Sequence, residues 1–299
     1  MKFFLIILIF LSGCASTTLN TDSEVSRQQL LILPEFMANS MSVEAYKEAL
    51  KIAEKNNKLN TDKNLLNRVR NISYKLIDKA IFFRDDANEW KWEINVEDNE
   101  EVNAYCMPGG KIMVFSGLVE KTNATDDELA AVIGHEIVHA LREHGRERMS
   151  TALIQQVGII GFAAYIANKG TRVSTDAAVQ AVALGTTLFF ALPNSREQER
   201  EADKMGIELM ALAGYNPMAA VSLWRKMNEL SEFSMPEFLS THPSNENRIK
   251  DLTEHAKKIN HLYEENKKEI KAFHPTDDIS AQAQGGKGHK SDGSEAQLP

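Results

Sequence analysis

Two histidines and a glutamate interrupt the apolar part of "AVIGHEIVHALREHGRER" (131–148), and this stretch constrains the fold more than any other. Thr125 and Glu128 in the preceding "TDDEL" have the spacing of a capping box, which predicts a helix that starts there and runs through the histidines. His135 and His139, four residues apart, then share one helix face, where both imidazoles can point at one atom between them. Gly134, Ile137, Val138 and Ala140 suit burial, so His135, Glu136 and His139 are polar groups carried into a core, where they need partners.

A metal ion satisfies that need. The run reads H-E-x-x-H: zinc accepts neutral imidazole nitrogens, and Glu136 stands to the side, where it can hold a water without ligating. A catalytic zinc usually has three protein ligands, so one must come from elsewhere. His144 lies five residues beyond His139 and is expected well round the helix, at the surface or touching a ligand from outside, while Arg142 occupies the place of the metzincin glycine. A second helix is predicted in "SREQEREADKMGIELMALAGY" (195–215), with Ser195 as cap and Gly214 as stop. Glu199 and Asp203 share the face of Ala202, Gly206 and Met210, the side expected to dock on the first helix. Glu197, Glu201 and Glu208 are expected on its more polar sides.

An H-E-x-x-H helix followed by a helix with Glu199-x-x-x-Asp203 resembles the gluzincin metallopeptidases. "SREQEREAD" is similar to peptidase family M48, the zinc metallopeptidases of the HtpX, Oma, BepA and LoiP type. "NAYCMPGGKIMVFSGLV" (103–119) resembles that family's Asn-Ala-aromatic-x-x-Pro-Gly-Gly strand segment, and "THPSNENRI" (241–249) its Thr-His-Pro…Arg segment. The resemblance spans roughly residues 60 to 260. It implies a mainly α fold with a small β-sheet (α+β), a gluzincin zinc-metallopeptidase domain holding one Zn2+ per subunit. By the same resemblance His135, His139 and Glu199 ligate the metal, Glu136 is the general base, and Asp203 hydrogen-bonds the free ring N–H of a histidine ligand, His135 for preference. His242 comes to the active site, either as a donor to the tetrahedral oxyanion or as a fourth zinc ligand in a resting enzyme, with Arg248 bracing that corner or contacting substrate. Pro243 biases His242 towards extended backbone, and Ser244 is the expected cap of the following helix.

The amino terminus "MKFFLIILIFLSGC" has a single positive charge and a short apolar run, and reads as a secretory signal. Leu11-Ser12-Gly13-Cys14 resembles a bacterial lipobox, which implies lipidation of Cys14, and the Ala15 that follows resembles lipoproteins of the outer membrane. Cys106 is then the one mature cysteine, expected as a buried thiol on a strand, so no internal disulfide is possible. The expected organisation is a signal peptide at 1–13, an N-terminal linker and helical segment at 14–60, the peptidase domain at 61–262, and a helix end with a disordered polar tail at 263–299. A net charge of −8 gives no electrostatic reason to expect nucleic acid as a partner.

Between these landmarks "LLNRVRNISYKLIDKAIFF" (65–83) has Leu65, Val69, Ile72, Leu76 and Ala80 at helical spacing. "WKWEINVED", "EVNAYCM" and "KIMVFSGLV" read as short strands of a sheet beside the zinc helix. One edge of it can bind an extended peptide through Asn103, Ala104 and Tyr105 by strand addition. The two apolar runs of residues 150–167 and 177–192 are shorter than a bilayer-spanning helix and carry Gln155, Gln156 and Gln180, so a helical hairpin beside the catalytic helix is expected. Two functions fit this reading. One is a zinc endopeptidase of the cell envelope, lipid-anchored and facing the periplasm, that degrades misfolded or misassembled envelope proteins; the other is an envelope chaperone or assembly factor with weak or regulated cleavage.

Overall fold

The computed structural model describes residues 14–166, 193–231, 236–243 and 247–267. In chain order its first elements are β1 (Cys14–Ala15), β2 (Gln29–Leu30), α1 (Glu35–Lys55), α2 (Lys63–Lys79), β3 (Glu93–Glu97), β4 (Ala104–Met107), β5 (Lys111–Phe115) and α3 (Ser116–Thr122). There follow α4 (Asp126–Leu141), α5 (His144–Ile166), α6 (Arg196–Leu212), α7 (Ala219–Ser231), α8 (Glu237–Thr241), α9 (Arg248–Lys258) and α10 (Asn260–Asn266). The fold is mainly α with a small three-stranded sheet, as expected, and a two-stranded antiparallel pair of β1 and β2.

Local signals set the two central helices. The Thr125 hydroxyl accepts from the Glu128 N–H and the Glu128 carboxylate accepts from the Thr125 N–H, while Asp126, Asp127 and Glu128 in the first turn complement the helix dipole. Ser195 and Gln198 make the same reciprocal box at the start of α6, and Gly214, at φ 80°, follows its end. Every residue of α4 from Glu128 to Leu141 is buried, the mark of a helix surrounded by protein. Helix α2 covers it with Leu65, Val69, Ile72 and Leu76. Helices α4 and α6 cross where each has a glycine: a Cβ on Gly134 would lie 3.1 Å from the Gly206 carbonyl oxygen, and one on Gly206 would lie 3.0 Å from His135 N and Cα.

The sheet has the order β3-β5-β4, parallel between β3 and β5 and antiparallel between β5 and β4. Gly109 and Gly110, at φ 77° and 80°, turn the chain between β4 and β5. Strand β4 is therefore an edge. The Phe115 N–H donates to the Asn103 carbonyl, so Tyr105 and Met107 also bond towards β5, and the backbone groups of Ala104 and Cys106 face the other way. Cys106 is a buried thiol on this strand.

Several expectations fail. "SGLV" (116–119) does not continue β5, because the Gly117 N–H donates to the Asn99 carbonyl and the chain turns into α3 at Ser116. Apolar content alone does not separate a strand from a short buried helix. Glu201 and Glu208 are buried, not on polar sides of α6. Residues 16–33 lie across that side and supply their partners: Thr21 and Ser23 donate to Glu208, and Arg27 bridges Glu201 and Glu147. Of the two places expected for His144 the structure gives contact with His139 and not the surface; α4 ends at Leu141, Glu143 adopts φ 50°, and His144 begins a new helix fully buried. Asn247, not Ser244, stands at the N-cap position of α9, which Arg248 begins; Ser244 lies outside the described residues. Of the expected apolar hairpin, the first run forms the later part of α5 up to Ile166, and the second lies outside the described residues, as do the signal segment and the polar tail. No helix among the described residues is long and apolar enough to cross a membrane.

The glycine crossing generates a prediction whose sign opposes helix propensity. Alanine gains about 0.8–1.0 kcal/mol over glycine in an exposed helix, yet Gly206→Ala should destabilise the protein by about 1–3 kcal/mol, because the neighbour that must yield is the backbone carrying His135. Urea denaturation of the variant measures this, and a rise in the unfolding midpoint would contradict the close approach.

Candidate metal centre

Helix α4 presents His135 and His139 on one face, α6 presents Glu199, and the chain after α8 brings in His242. All four side chains are buried, and one ligand atom from each lies within 4.8 Å of the others. His135 Nε2 is 3.0 Å from His139 Nε2, 3.3 Å from His242 Nδ1 and 3.3 Å from Glu199 Oε2. Glu199 Oε1 is 3.3 Å from His139 Nε2 and 3.0 Å from His242 Nδ1.

These residues fit a zinc ion. Imidazole nitrogens that face one another away from water repel through their lone pairs unless protons or a cation stand between them, and nitrogen and carboxylate oxygen are the donors zinc prefers. The electrostatics favour a cation at His139 and Glu199, while His135 holds a proton that a metal ion would displace. Burial drives the His139 pKa well below the usual histidine range, which leaves a neutral ring with a free lone pair. Burial pushes the Glu199 carboxyl up, but the neighbouring His242, His135 and His139 outweigh it and hold the group well below the usual range. At His135 burial pulls the pKa down, yet Asp203 and Glu199 overcome it and raise it to about 9.

A second ring of side chains surrounds the four. Asp203 Oδ1 is 3.1 Å from His135 Nδ1, and Arg248 donates to Asp203 at 2.7 Å and to Glu199 at 3.2 Å. The Arg248 guanidinium lies 3.4 Å over the Trp224 ring, and it also donates to the His242 carbonyl. Arg248 thus braces the corner. His242 is fixed from its other side by stacking on Phe238, at 4.3 Å between ring centroids.

Glu136 is buried beside the group but is not one of its four members. Its Oε1 has no hydrogen-bond partner and stands 3.4 Å from His242 Nε2. Burial raises its pKa, against the pull of His242 and His135. A cleft of about 70 Å³ opens here, lined by Asn103, Ala104, Tyr105, Glu136, His139 and His242. The free edge of β4 thus faces the histidine group across a narrow gap. Two cleft residues were not anticipated from the sequence, Arg148 and Asn194. Arg148 donates to the Asn194 side chain, whose amide nitrogen lies 3.2 Å from His242 Nδ1. The signal for Arg148 was its position one helical turn after His144; Asn194 stands in a loop and had none.

Comparison with known proteins agrees with this geometry. The model of Peptidase family M48 matches residues 65–256. The chain belongs to this family. Mitochondrial metalloendopeptidase OMA1 of Saccharomyces cerevisiae is 31% identical over 213 residues, covering 66% of this chain and 58% of that protein. The Arabidopsis thaliana protein of the same name is 38% identical over 163 residues, 54% of this chain and 31% of the relative. Beta-barrel assembly-enhancing protease of Escherichia coli is 27% identical over 168 residues, 54% of this chain and 34% of the relative. The chain thus spans between about a third and three fifths of the length of these relatives. M48 proteins are metallopeptidases that use zinc, and His135, His139, Glu199 and His242 form the grouping in this member that could bind the ion.

If His135, His139 and Glu199 hold the metal, replacing any of them with alanine should strip zinc from the purified protein. Asp203→Asn should be milder, costing about 10–100-fold in affinity because Asp203 supports His135 from outside the ligand group. Competition against a chromophoric chelator measures both effects; an Asp203→Asn protein with wild-type affinity would reduce Asp203 to a partner of Arg248 alone.

Proposed function

We propose that this metallopeptidase is a zinc-dependent endopeptidase of the cell envelope that cleaves misfolded or misassembled envelope proteins. The observation that carries the reading is the unpartnered Glu136 Oε1, buried between the histidine group and the free edge of β4. A binding protein has no use for such a group, whereas a hydrolase needs a base at that point.

The proposed ligands are His135, His139 and Glu199. Zinc held by them would supply a Lewis acid for the scissile carbonyl and lower the pKa of water. Glu136 takes the proton from the attacking water and passes it to the leaving amine. Its raised pKa makes it a stronger base for the first half of that task, and it remains acidic enough to protonate the far more basic leaving amine in the second. Substrate would lie extended along β4, where the outward backbone groups of Ala104 read peptide backbone without regard to sequence. Asn103 and Tyr105 flank that register and supply side-chain preference. A protease of unfolded chains needs this breadth. The peptidase unit is taken as residues 61–262, which the family match over 65–256 supports.

For the envelope, the support is the lipobox-like Leu11-Ser12-Gly13-Cys14 and the similarity to a protein named for β-barrel assembly. Cys14 is the proposed lipid anchor, on a membrane surface facing the periplasm. Regulated cleavage, the second reading, is favoured by one feature: His242 Nδ1 lies within the ligand group itself, 3.0 Å from Glu199 Oε1. An imidazole there can occupy the position substrate needs, which makes His242 a latch in preference to an oxyanion donor.

One experiment with two variants tests both readings, using an unfolded outer-membrane protein as substrate. Glu136→Gln should keep zinc and lose about 10²–10⁴-fold in cleavage rate; equal cleavage by variant and wild type would rule Glu136 out as the base. His242→Ala should cleave faster with altered zinc affinity if His242 is a latch. A fall of about 10²–10³-fold with zinc retained would make it an oxyanion donor instead.

A further inference from the structure

The two histidines of the H-E-x-x-H helix are supported differently. His135 meets a carboxylate directly, with Asp203 Oδ1 3.1 Å from its Nδ1. His139 meets another imidazole: its Nδ1 lies 2.8 Å from His144 Nδ1. His144 in turn places Nε2 2.9 Å from Glu201 Oε2. We propose that His144 is a positioning residue for the metal ligand His139, the middle member of a Glu201–His144–His139 relay that fixes the His139 tautomer and transmits the Glu201 charge to it.

Proton counting gives the chain a single direction. This step rests on the ligand reading above, in which His139 Nε2 gives its lone pair to the metal. The ring proton of His139 then sits on Nδ1 and is donated to His144 Nδ1, which must be bare. The proton of His144 therefore sits on Nε2 and is donated to Glu201. Both rings are neutral, every ring nitrogen is used, and each of the two hydrogen bonds carries one proton. The carboxylate at the far end makes His144 a better acceptor, which makes the His139 ring a better donor to a cation, as a directly bonded carboxylate does for a histidine ligand.

The anchor of the relay is held equally firmly. Arg142, itself wholly buried, donates to Glu201 Oε2 at 3.1 Å, and Arg27 donates to both Glu201 oxygens, at 2.7 and 3.1 Å. Arg27 belongs to the segment before α1, and it also bonds Glu147. The relay thus ties the amino-terminal segment to the metal group through one unbroken line of side chains. Glu143, at φ 50°, makes this possible, because the break it introduces turns His144 back against His139 instead of letting it continue round α4.

The test reads zinc binding directly. In the full-length protein His144→Leu, which fills the space but neither accepts nor donates, should weaken zinc affinity about 10–100-fold in chelator competition. His144→Asn, whose carboxamide oxygen can stand where Nδ1 does, should recover most of that loss. Equal affinities for wild type and His144→Leu, or equal losses for Leu and Asn, overturn the relay. A wild-type protein that holds no zinc overturns the ligand reading as well, so the two failures are distinguishable. A measurement on the unmutated, zinc-loaded protein guards against misfolding of the variants. In ¹⁵N-histidine spectra His139 should carry its proton on Nδ1 and His144 on Nε2, with a coupling across the hydrogen bond between the two Nδ1 atoms; a His144 protonated on Nδ1 overturns the proposal.

Discussion

Carrying two imidazoles and a carboxylate into a helical core is tolerable only if other polar groups meet them there, and the architecture follows from that demand. The meeting is made possible by two glycines. With Gly134 and Gly206 in contact, α4 and α6 approach closely enough for Glu199 to face His135 and His139 across the crossing. A side chain at either position would push the carboxylate away and leave three buried polar groups unsatisfied. The close approach is thus both a packing feature and the source of the ligand geometry.

Outside the ligand group, charge alternates in layers. Carboxylates and imidazoles at the centre are followed by Arg248 on one side and by the Glu201, Arg142 and Arg27 set on the other. Burial raises the pKa of the Glu201 carboxyl, but His144, Arg27 and Arg142 more than reverse this and hold it at about 2. Each layer neutralises the one within it, so the site can be dry without leaving isolated charge. Among the described residues Glu136 Oε1, at the mouth of the cleft, is the one buried carboxylate oxygen without a hydrogen-bond partner.

What the sequence made legible was local. The capping boxes of Thr125 and Ser195, the stop at Gly214 and the apolar stripe of Leu65 to Leu76 depend on residues within a few positions of one another, and each appears in the structure. His135, His139, Glu199 and Asp203 were readable because helical spacing and a family pattern agreed. Glu201 and Glu208 were misjudged for the opposite reason. Their partners are Thr21, Ser23 and Arg27, on the other side of the sequence, and nothing in α6 announces that a strap will cover its polar flank. For His144 the sequence left two places open, the surface or contact with a ligand, and the second holds because one residue, Glu143, leaves helical geometry at a position where neither glycine nor asparagine signals a break. The order of the sheet, with β4 at the edge facing the histidines, is a tertiary fact that strand propensity does not contain.

The most direct test of the central claim is anomalous diffraction at the zinc absorption edge from crystals of the zinc-loaded protein. The account predicts one peak per chain, bonded at about 2.0–2.2 Å to nitrogens of His135 and His139 and to an oxygen of Glu199. A peak bonded to fewer than two of these three, or one located elsewhere in the chain, would contradict it.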